Sequence, residues 1–190
     1  MRKIYYISLA VVNFVLYPIY KKVIKEVKPY SEFQLFSQKL NCPYFGYIGF
    51  VWIFLNFPEY RSVVYHRFRV LKKIYSCIYK PQILLQIDTP SNRIGTGLMI
   101  WHGFSTIINA DRIGDNCTIW HQVTVGNKLD DGECKPIIED NVKICTGAIV
   151  IGNIHIGKNS IIGAGSVVVK DVPDNVIVAG IPAKVIRYID

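Results

Sequence analysis

The sequence predicts a mainly β fold, a parallel β-helix preceded by an N-terminal α-helical region. The main observation is an aliphatic residue that returns every six residues from position 94 onward. One seven-residue step (100 to 107) and one loop (126–137) interrupt the spacing. The series is Ile94, Ile100, Ile107, Ile113, Ile119, Val125, Ile138, Ile144, Val150, Ile156, Ile162 and Val168. The second observation is the uncharged and amphipathic stretches before residue 81, which favour helices.

A six-residue period fits a coil in which each turn contains three short strands with one aliphatic side chain pointing inward from each. The glycines that follow inward positions are expected to give the backbone freedom at the corners. They are Gly95, Gly114, Gly126, Gly157 and Gly163. The predicted organisation is a helical region at 1–85, the coil at 86–172 and a C-terminal tail at 173–190.

Residues 4–20 and 43–58 carry no charge, but each stretch is shorter than the roughly 20 residues that span a bilayer. A transmembrane helix is therefore the less favoured reading, and a buried or subunit-interface helix is one alternative to it. A helix in the membrane interface is the other, and the basic flanks and abundant Tyr residues suit it. Peripheral membrane contact through residues 4–58 therefore stays open. Residues 59–80 predict one amphipathic helix, with Val63, Val64, Phe68, Leu71, Ile74 and Ile78 on its apolar face.

The chain has 22 Lys and Arg against 14 Asp and Glu, a net charge of +8. The basic residues form no single run, and no zinc finger or RNA-binding signature is present, so nucleic acid is not an expected partner. Five cysteines without a CxxC pair predict neither a disulfide framework nor a zinc site. Such usage favours a reducing, cytoplasmic location, with the inner face of the cell membrane as an alternative.

The register of the repeat also predicts a column of side chains. His102, His121, Thr146 and Ala164 each come two residues after an inward position of the same face. They should therefore stack along one corner of the coil at about 4.8 Å per turn. The seven-residue step falls beside His102, and bulges of this kind often re-aim a side chain next to an active site.

The segments that carry these residues resemble the hexapeptide-repeat acyltransferases, in particular the serine-acetyltransferase-like branch with its capsule and exopolysaccharide O-acetyltransferases. They are IGTGLMIWHG, IGDNCTIWHQVTVGN, GNIHIGKNSIIGAGSVVVKDVPDN and AGIPAKVIR. The resemblance covers roughly residues 86–188. It implies a left-handed β-helix, a homotrimer, and acetyl-CoA bound as co-substrate between two subunits.

By position, the resemblance implies that His102 is the catalytic general base. It further implies that Asp88 orients His102, although ungapped alignment puts Ile87 at the family's Asp position. His121, from the shared column, is expected to lie within reach of His102 and to touch the acceptor or the thioester oxygen. The expected CoA-binding residues are Thr146, Ala164, Val169, Lys170, Lys184 and Arg187. No metal is expected.

The acceptor is predicted from positions at which this chain differs from the serine acetyltransferases. Serine acetyltransferases carry an Asp before the catalytic histidine and an Arg-His pair in the later loop, whereas this chain has Trp101 and Cys134-Lys135 there. Trp101 and Trp120 could offer flat faces to a sugar ring, although packing in a subunit interface is an equal alternative. With Lys135, they predict a sugar or glycan acceptor in polysaccharide biosynthesis. Serine O-acetylation is the alternative.

Two further classes of function remain open. A zinc enzyme of the carbonic-anhydrase-like β-helix type would need three clustered histidines, and His66, His102, His121 and His155 include no closely spaced pair at the cleft. A non-catalytic scaffold would keep the assembly without the chemistry. Substitution of His102 distinguishes the scaffold from the enzyme.

Overall fold

The computed structural model describes residues 14–128 and 134–189. The chain divides into two compact units, Met1–Gln82 and Ile83–Asp190. The first unit is helical and the second is built almost entirely of short strands.

The helical unit contains five helices after a short 3₁₀ turn at Phe14–Leu16. They are α1 (Tyr17–Lys25), α2 (Val27–Lys39), α3 (Gly46–Asn56), α4 (Pro58–Arg67) and α5 (Arg69–Tyr75). Prolines in the first turns of α1 and α4 suit helix starts, where the missing N–H would have no partner in the helix. The core is largely aromatic, with Phe36, Phe50 and Tyr60 fully buried and the Tyr60 ring in contact with both phenylalanine rings.

One buried ion pair ties two of these helices together. Arg67 at the end of α4 donates to the Glu32 carboxylate in α2 at 2.6 Å, and both side chains are almost completely buried. Because a buried carboxylate without a partner is very costly, removal of Arg67 would destabilise this unit.

The single helix predicted over residues 59–80 is wrong. The chain breaks between α4 and α5 at Phe68, whose φ of −124° and ψ of 79° are not helical. Phe68 itself is buried, and the break turns the following residues, so that Ile74 and Ile78 are exposed. Within residues 14–128 and 134–189, no helix is both long and apolar enough to cross a membrane. Residues 4–13 of the first uncharged stretch lie outside the described residues.

The second unit is the predicted coil, and its strands form three sheets. In chain order they are β1 (Leu85–Ile87), β2 (Met99–Ile100), β3 (Thr106–Ile108), β4 (Arg112–Ile113), β5 (Thr118–Ile119), β6 (Thr124–Gly126), β7 (Ile137–Ile138), β8 (Lys143–Ile144), β9 (Ile149–Ile151), β10 (His155–Ile156), β11 (Ile161–Ile162), β12 (Val167–Val168), β13 (Val176–Gly180) and β14 (Ala183–Tyr188). The sheets run β4-β7-β10, β2-β5-β8-β11-β13-β14 and β1-β3-β6-β9-β12. All pairings are parallel except β13 with β14.

Strand pairing confirms the register on two faces and corrects it on the third. Ile100, Ile119, Ile144 and Ile162 are aligned and buried as predicted, and Val178 extends their row. On the third face the inward residue is Ile108, which pairs with Val125, while Ile107 is 43% exposed. The reason is that the step from Ile100 to the next inward residue, Ile108, is eight residues long, whereas the aliphatic spacing predicted a step of seven residues to Ile107.

The corners are shaped by asparagines and by close packing more than by flexible glycines. Asn116, Asn141, Asn159 and Asn175 all adopt left-handed φ values between 55° and 59°. Asn141 donates to Asn159 Oδ1 at 3.0 Å, and Asn159 donates to Asn175 Oδ1 at 2.8 Å. Gly114 is required for a different reason, since a Cβ there would lie 2.3 Å from Asp140 Oδ1 and 2.6 Å from Asp140 N.

The asparagine ladder predicts a position-specific effect on stability. Asn159→Ala removes both ladder hydrogen bonds. It also places alanine, which has no polar side chain, in a left-handed backbone conformation with a φ of 58°. We expect it to lower the free energy of unfolding by about 1–2 kcal/mol. Asn159→Gly should cost less, because glycine tolerates this backbone conformation. Equal losses in chemical denaturation for the two variants would contradict this account.

Candidate active site

The structure brings His102 and His121 together at one corner of the coil. Their ring centroids lie 5.9 Å apart at an interplanar angle of 63°. The His102 side chain is exposed, whereas His121 is half-buried, and its Nδ1 atom is buried without a hydrogen-bond partner. The paired rings follow from the alignment of Ile100 with Ile119 two residues earlier.

The bulge after Ile100 positions both rings. His102 and Ser105 have left-handed φ values of 60° and 51°, and the backbone N–H of Phe104 donates to the carbonyl of His102. The extra residues place Phe104 against His121, with ring centroids 4.7 Å apart and an interplanar angle of 23°. Gln122 N donates to Phe104 O at 3.0 Å and holds the bulge against the next turn. His121 is therefore packed between Phe104 and His102.

Thr146 and Ala164 continue the corner beyond His121. Gly147 N donates to His121 O at 3.1 Å, and Gly165 N donates to Thr146 O at 2.9 Å. The predicted order of the column is thus reproduced along the backbone. Its far end is open, since Ala164 and Gly165 are exposed and a Cβ on Gly165 would meet nothing within 4 Å.

A second row runs beside this column along the outside of the sheet. Successive hydrogen bonds align Trp101, Trp120, Cys145 and Gly163, and the row continues to Ala179 and its antiparallel partner Lys184. Five inter-strand steps of about 4.8 Å separate the ends by roughly 24 Å. The row thus changes from indole rings to small side chains and ends at an exposed lysine.

The other predicted residues occupy separate places in the same unit. Arg187 lies on β14 opposite Ile177 and is exposed. Val169 and Lys170 follow β12 and are also exposed. Lys135 is half-buried, follows Cys134 and precedes β7, and residues 129–133 lie outside the described residues. The ring of Trp101 contacts that of His102, with centroids 6.1 Å apart.

Asp88 is held by Gln86 in its own turn and by Ile108 in the next turn. Its backbone N–H donates to Ile108 O at 2.8 Å, and its Oδ2 accepts a hydrogen bond from Gln86 at 2.7 Å. The structure records no hydrogen bond between the Asp88 carboxylate and the His102 ring, both of which it describes. The orienting role of Asp88 remains a prediction.

Other reactive groups near the coil have structural partners or unsuitable chemistry. Burial raises the pKa of the Cys145 thiol, which keeps it protonated and a weak nucleophile. His155 lies on a different sheet, where its Nε2 is 2.9 Å from Glu139 Oε1. That hydrogen bond, with help from Arg112, lowers the pKa of the Glu139 carboxyl. In the part of the chain that the structure describes, no three His, Cys, Asp or Glu residues cluster as a metal site.

Sequence reasoning missed Phe104. The odd spacing after Ile100 indicated a bulge, but it did not indicate that an aromatic ring within the bulge would stack on His121. The signal that could have predicted this contact is the presence of an aromatic residue, Phe104, in the bulge that lies next to His121 on the following turn.

Part of the repeat matches a known protein family, and the chain resembles several known proteins. Residues 135–170 match the family described as bacterial transferase hexapeptide (six repeats). A serine acetyltransferase of Synechococcus elongatus is 37% identical over 145 residues, which cover 70% of this chain and 59% of that protein. The chain therefore spans less than two thirds of that relative's length.

Two solved structures have the same architecture. A serine acetyltransferase from Brucella abortus in complex with coenzyme A has a TM-score of 0.63 at 28% identity, over 91% of this chain and 70% of that one. A Neisseria gonorrhoeae serine acetyltransferase in complex with serine has a TM-score of 0.64 at 26% identity, over 95% of this chain and 72% of that one. The predicted left-handed parallel β-helix with an N-terminal helical region is thus confirmed.

The prediction of a sugar or glycan acceptor is wrong, and the comparisons do not support the assignment to the capsule and exopolysaccharide branch. The relatives reported above are serine acetyltransferases. The prediction rested on Trp101, Trp120 and Lys135 and on the missing Asp and Arg-His pair. An indole surface does not by itself require a sugar, and the Lys135 ammonium can still pair with a carboxylate.

The stacking of Phe104 on His121 predicts an energetic coupling. Aromatic pairs at this separation contribute about 0.5–1.5 kcal/mol beyond area burial. In a double-mutant cycle of Phe104→Leu and His121→Gln, we expect a coupling of that size in the free energy of unfolding. Phe104→Tyr, which keeps the stacked ring, should retain most of it. Simple additivity of the two single changes would show that the rings do not interact.

Proposed function

We propose that this protein belongs to the hexapeptide-repeat transferases and moves an acetyl group from acetyl-CoA to the hydroxyl of serine. The observation that carries the proposal is the exposed His102 ring on a corner that continues through Thr146 and Ala164, beside a row that ends at Lys184. The likeness to serine acetyltransferases supports both the reaction and the acceptor.

His102 acts as the general base. Its imidazole accepts the proton of the serine hydroxyl as that oxygen attacks the thioester carbonyl. The new ester bond forms, the carbon–sulfur bond breaks, and the proton passes from His102 to the leaving thiolate. An imidazole suits both transfers because its ordinary pKa lies near neutrality.

His121 and Asp88 have supporting roles in this proposal. His121 packs against His102 and restricts the rotation of that ring. Asp88 orients His102 if its carboxylate leaves Gln86 when the substrates bind. Catalytic hydrogen bonds often tighten only in the substrate complex.

The open end of the column fits the CoA arm. Thr146, Ala164 and Gly165 leave the corner free of bulky side chains, and the space over Gly165 is empty. Lys184 and Arg187 are exposed cations suited to the phosphates, with Val169 and Lys170 at the neighbouring corner. Acetyl-CoA supplies the activated acetyl group at this site.

Lys135 is the group on this chain that best fits the serine carboxylate, because an ammonium and a carboxylate form a charge-assisted pair. Trp101 and Trp120 wall the acceptor side of His102 and keep water from the thioester. We further propose a homotrimer, in which a second copy covers the exposed apolar side chains of Phe104, Ile107 and Val169.

The direct test is transfer to serine. Purified protein with acetyl-CoA should release free thiol only when L-serine is present, and mass spectrometry should detect O-acetylserine. Thiol release that serine does not stimulate would overturn the acceptor assignment.

His102→Ala should reduce acetyl transfer by about 10²–10⁴-fold, the usual contribution of a general base. Its oligomeric state should match that of the parent protein, and its unfolding transition should move little, because His102 is exposed and histidine and alanine both place a Cβ at this φ of 60°. His155→Ala, on another sheet, serves as the matched control and should retain activity. Full activity in His102→Ala would instead favour a scaffold without chemistry.

Ala164→Phe should block the CoA arm. We expect the KM for acetyl-CoA to rise about tenfold or more, equivalent to a loss of about 1.4 kcal/mol, with little change in stability at this exposed corner. Asn153→Phe introduces the same ring at an exposed position outside the column and should leave the KM unchanged. Equal KM values for the two variants would remove the arm from this corner.

A further inference from the structure

The net positive charge of the chain comes entirely from the helical unit. Residues 1–82 contain 13 Lys and Arg against three Asp and Glu, a net charge of +10. Residues 83–190 contain nine Lys and Arg against 11 Asp and Glu, a net charge of −2. The proposed chemistry takes place in the second unit and does not account for this imbalance.

Burial sharpens the contrast at the surface. Two of the three carboxylates of the helical unit, Glu32 and Glu59, are buried, and Glu32 is neutralised by Arg67. Glu26 is the one exposed acidic side chain among described residues 14–82. Against it stand eight exposed cations, Lys21, Lys22, Lys25, Lys39, Arg69, Lys72, Lys73 and Lys80.

An apolar stripe lies among these cations. Val70 and Ile74 are one helical turn apart on α5, and Ile78 follows four residues later. Their side chains are 63%, 56% and 67% exposed, although all three are strongly apolar. Arg69, Lys72, Lys73 and Lys80 flank the stripe in sequence and are exposed too.

Contacts join this stripe to the basic face of α1. Lys22 Nζ lies 4.8 Å from the ring of Phe68, the residue that precedes α5. The adjacent residue on α1, Lys21, has its Nζ 4.9 Å from the ring of Tyr17, one turn earlier in the helix. Tyr17 in turn stacks on Phe14, which is 75% exposed. Cations and exposed apolar groups therefore form one surface from α1 to α5, which we call the basic apolar surface.

We propose that the basic apolar surface binds peripherally to an anionic phospholipid membrane. An apolar stripe between lysines is the pattern of helices that lie in a membrane interface, where lipid chains accept the stripe and headgroups pair with the cations. A second copy of the same surface is a poor partner, because Arg69, Lys72 and Lys73 would face their own like charges. This inference does not depend on the proposed acetyl transfer.

Vesicle co-sedimentation of the full-length protein tests the proposal. We expect binding to vesicles of phosphatidylcholine mixed with phosphatidylglycerol, little binding to phosphatidylcholine alone, and weakening at high salt. Each basic residue near such a surface contributes about fivefold to affinity, so Lys72→Gln with Lys73→Gln should weaken binding roughly 25-fold. Val70→Ser, Ile74→Ser and Ile78→Ser together should also weaken it.

Lys143→Gln with Lys158→Gln is the matched control, since it removes the same charge from exposed positions on the coil. The control should bind vesicles like the parent protein. Failure of the parent to bind anionic vesicles at low salt, or equal losses in the two lysine pairs, would overturn the proposal. Binding to immobilised polyglutamate without binding to vesicles would overturn it in favour of an acidic protein partner. Acetyl transfer in solution should be unchanged throughout, which separates this result from the test of the enzyme.

Discussion

Stacking of aliphatic side chains inside the coil is the constraint on which the rest of the second unit depends. Each inward Ile or Val packs on the equivalent residue one turn away, as Ile100, Ile119, Ile144, Ile162 and Val178 do. Full burial of such a side chain contributes about 1.5–3 kcal/mol, so a slip of one residue on any turn would be costly. The corners have little freedom once these rows are aligned. The line from His102 to Ala164 is therefore a consequence of core packing.

Most of this architecture could be predicted because period and burial are local properties of the sequence. The two aligned faces and the order of the histidine column needed only the spacing of the aliphatic residues. The bulge was harder, since counting could not tell whether Ile107 or Ile108 pointed inward. Backbone hydrogen bonds between neighbouring strands align Ile108 with Val125, so Ile108 points inward. The extra residues of the bulge also bring the Phe104 ring against His121.

The helical unit shows where pattern reasoning loses power. Val63, Val64, Phe68 and Leu71 are buried as the amphipathic pattern predicted, but Ile74 and Ile78 are exposed. A break at Phe68, set by its tertiary burial, rotates the residues that follow. The acceptor could not be deduced from the missing Asp and Arg-His pair. The loss of these side chains does not reveal which ligand their replacements bind. Trp101 and Lys135 are compatible with an amino-acid acceptor once relatives are considered.

The central claim is that the corner from His102 to Ala164 holds the acyl donor. A crystal structure of the protein with coenzyme A tests it most directly. The account predicts that the pantetheine arm follows the corner past Thr146 and Ala164, with its sulfur beside the His102 ring and the 3′-phosphate toward Lys184. Coenzyme A bound on another corner, or with its sulfur turned away from His102, would contradict the account.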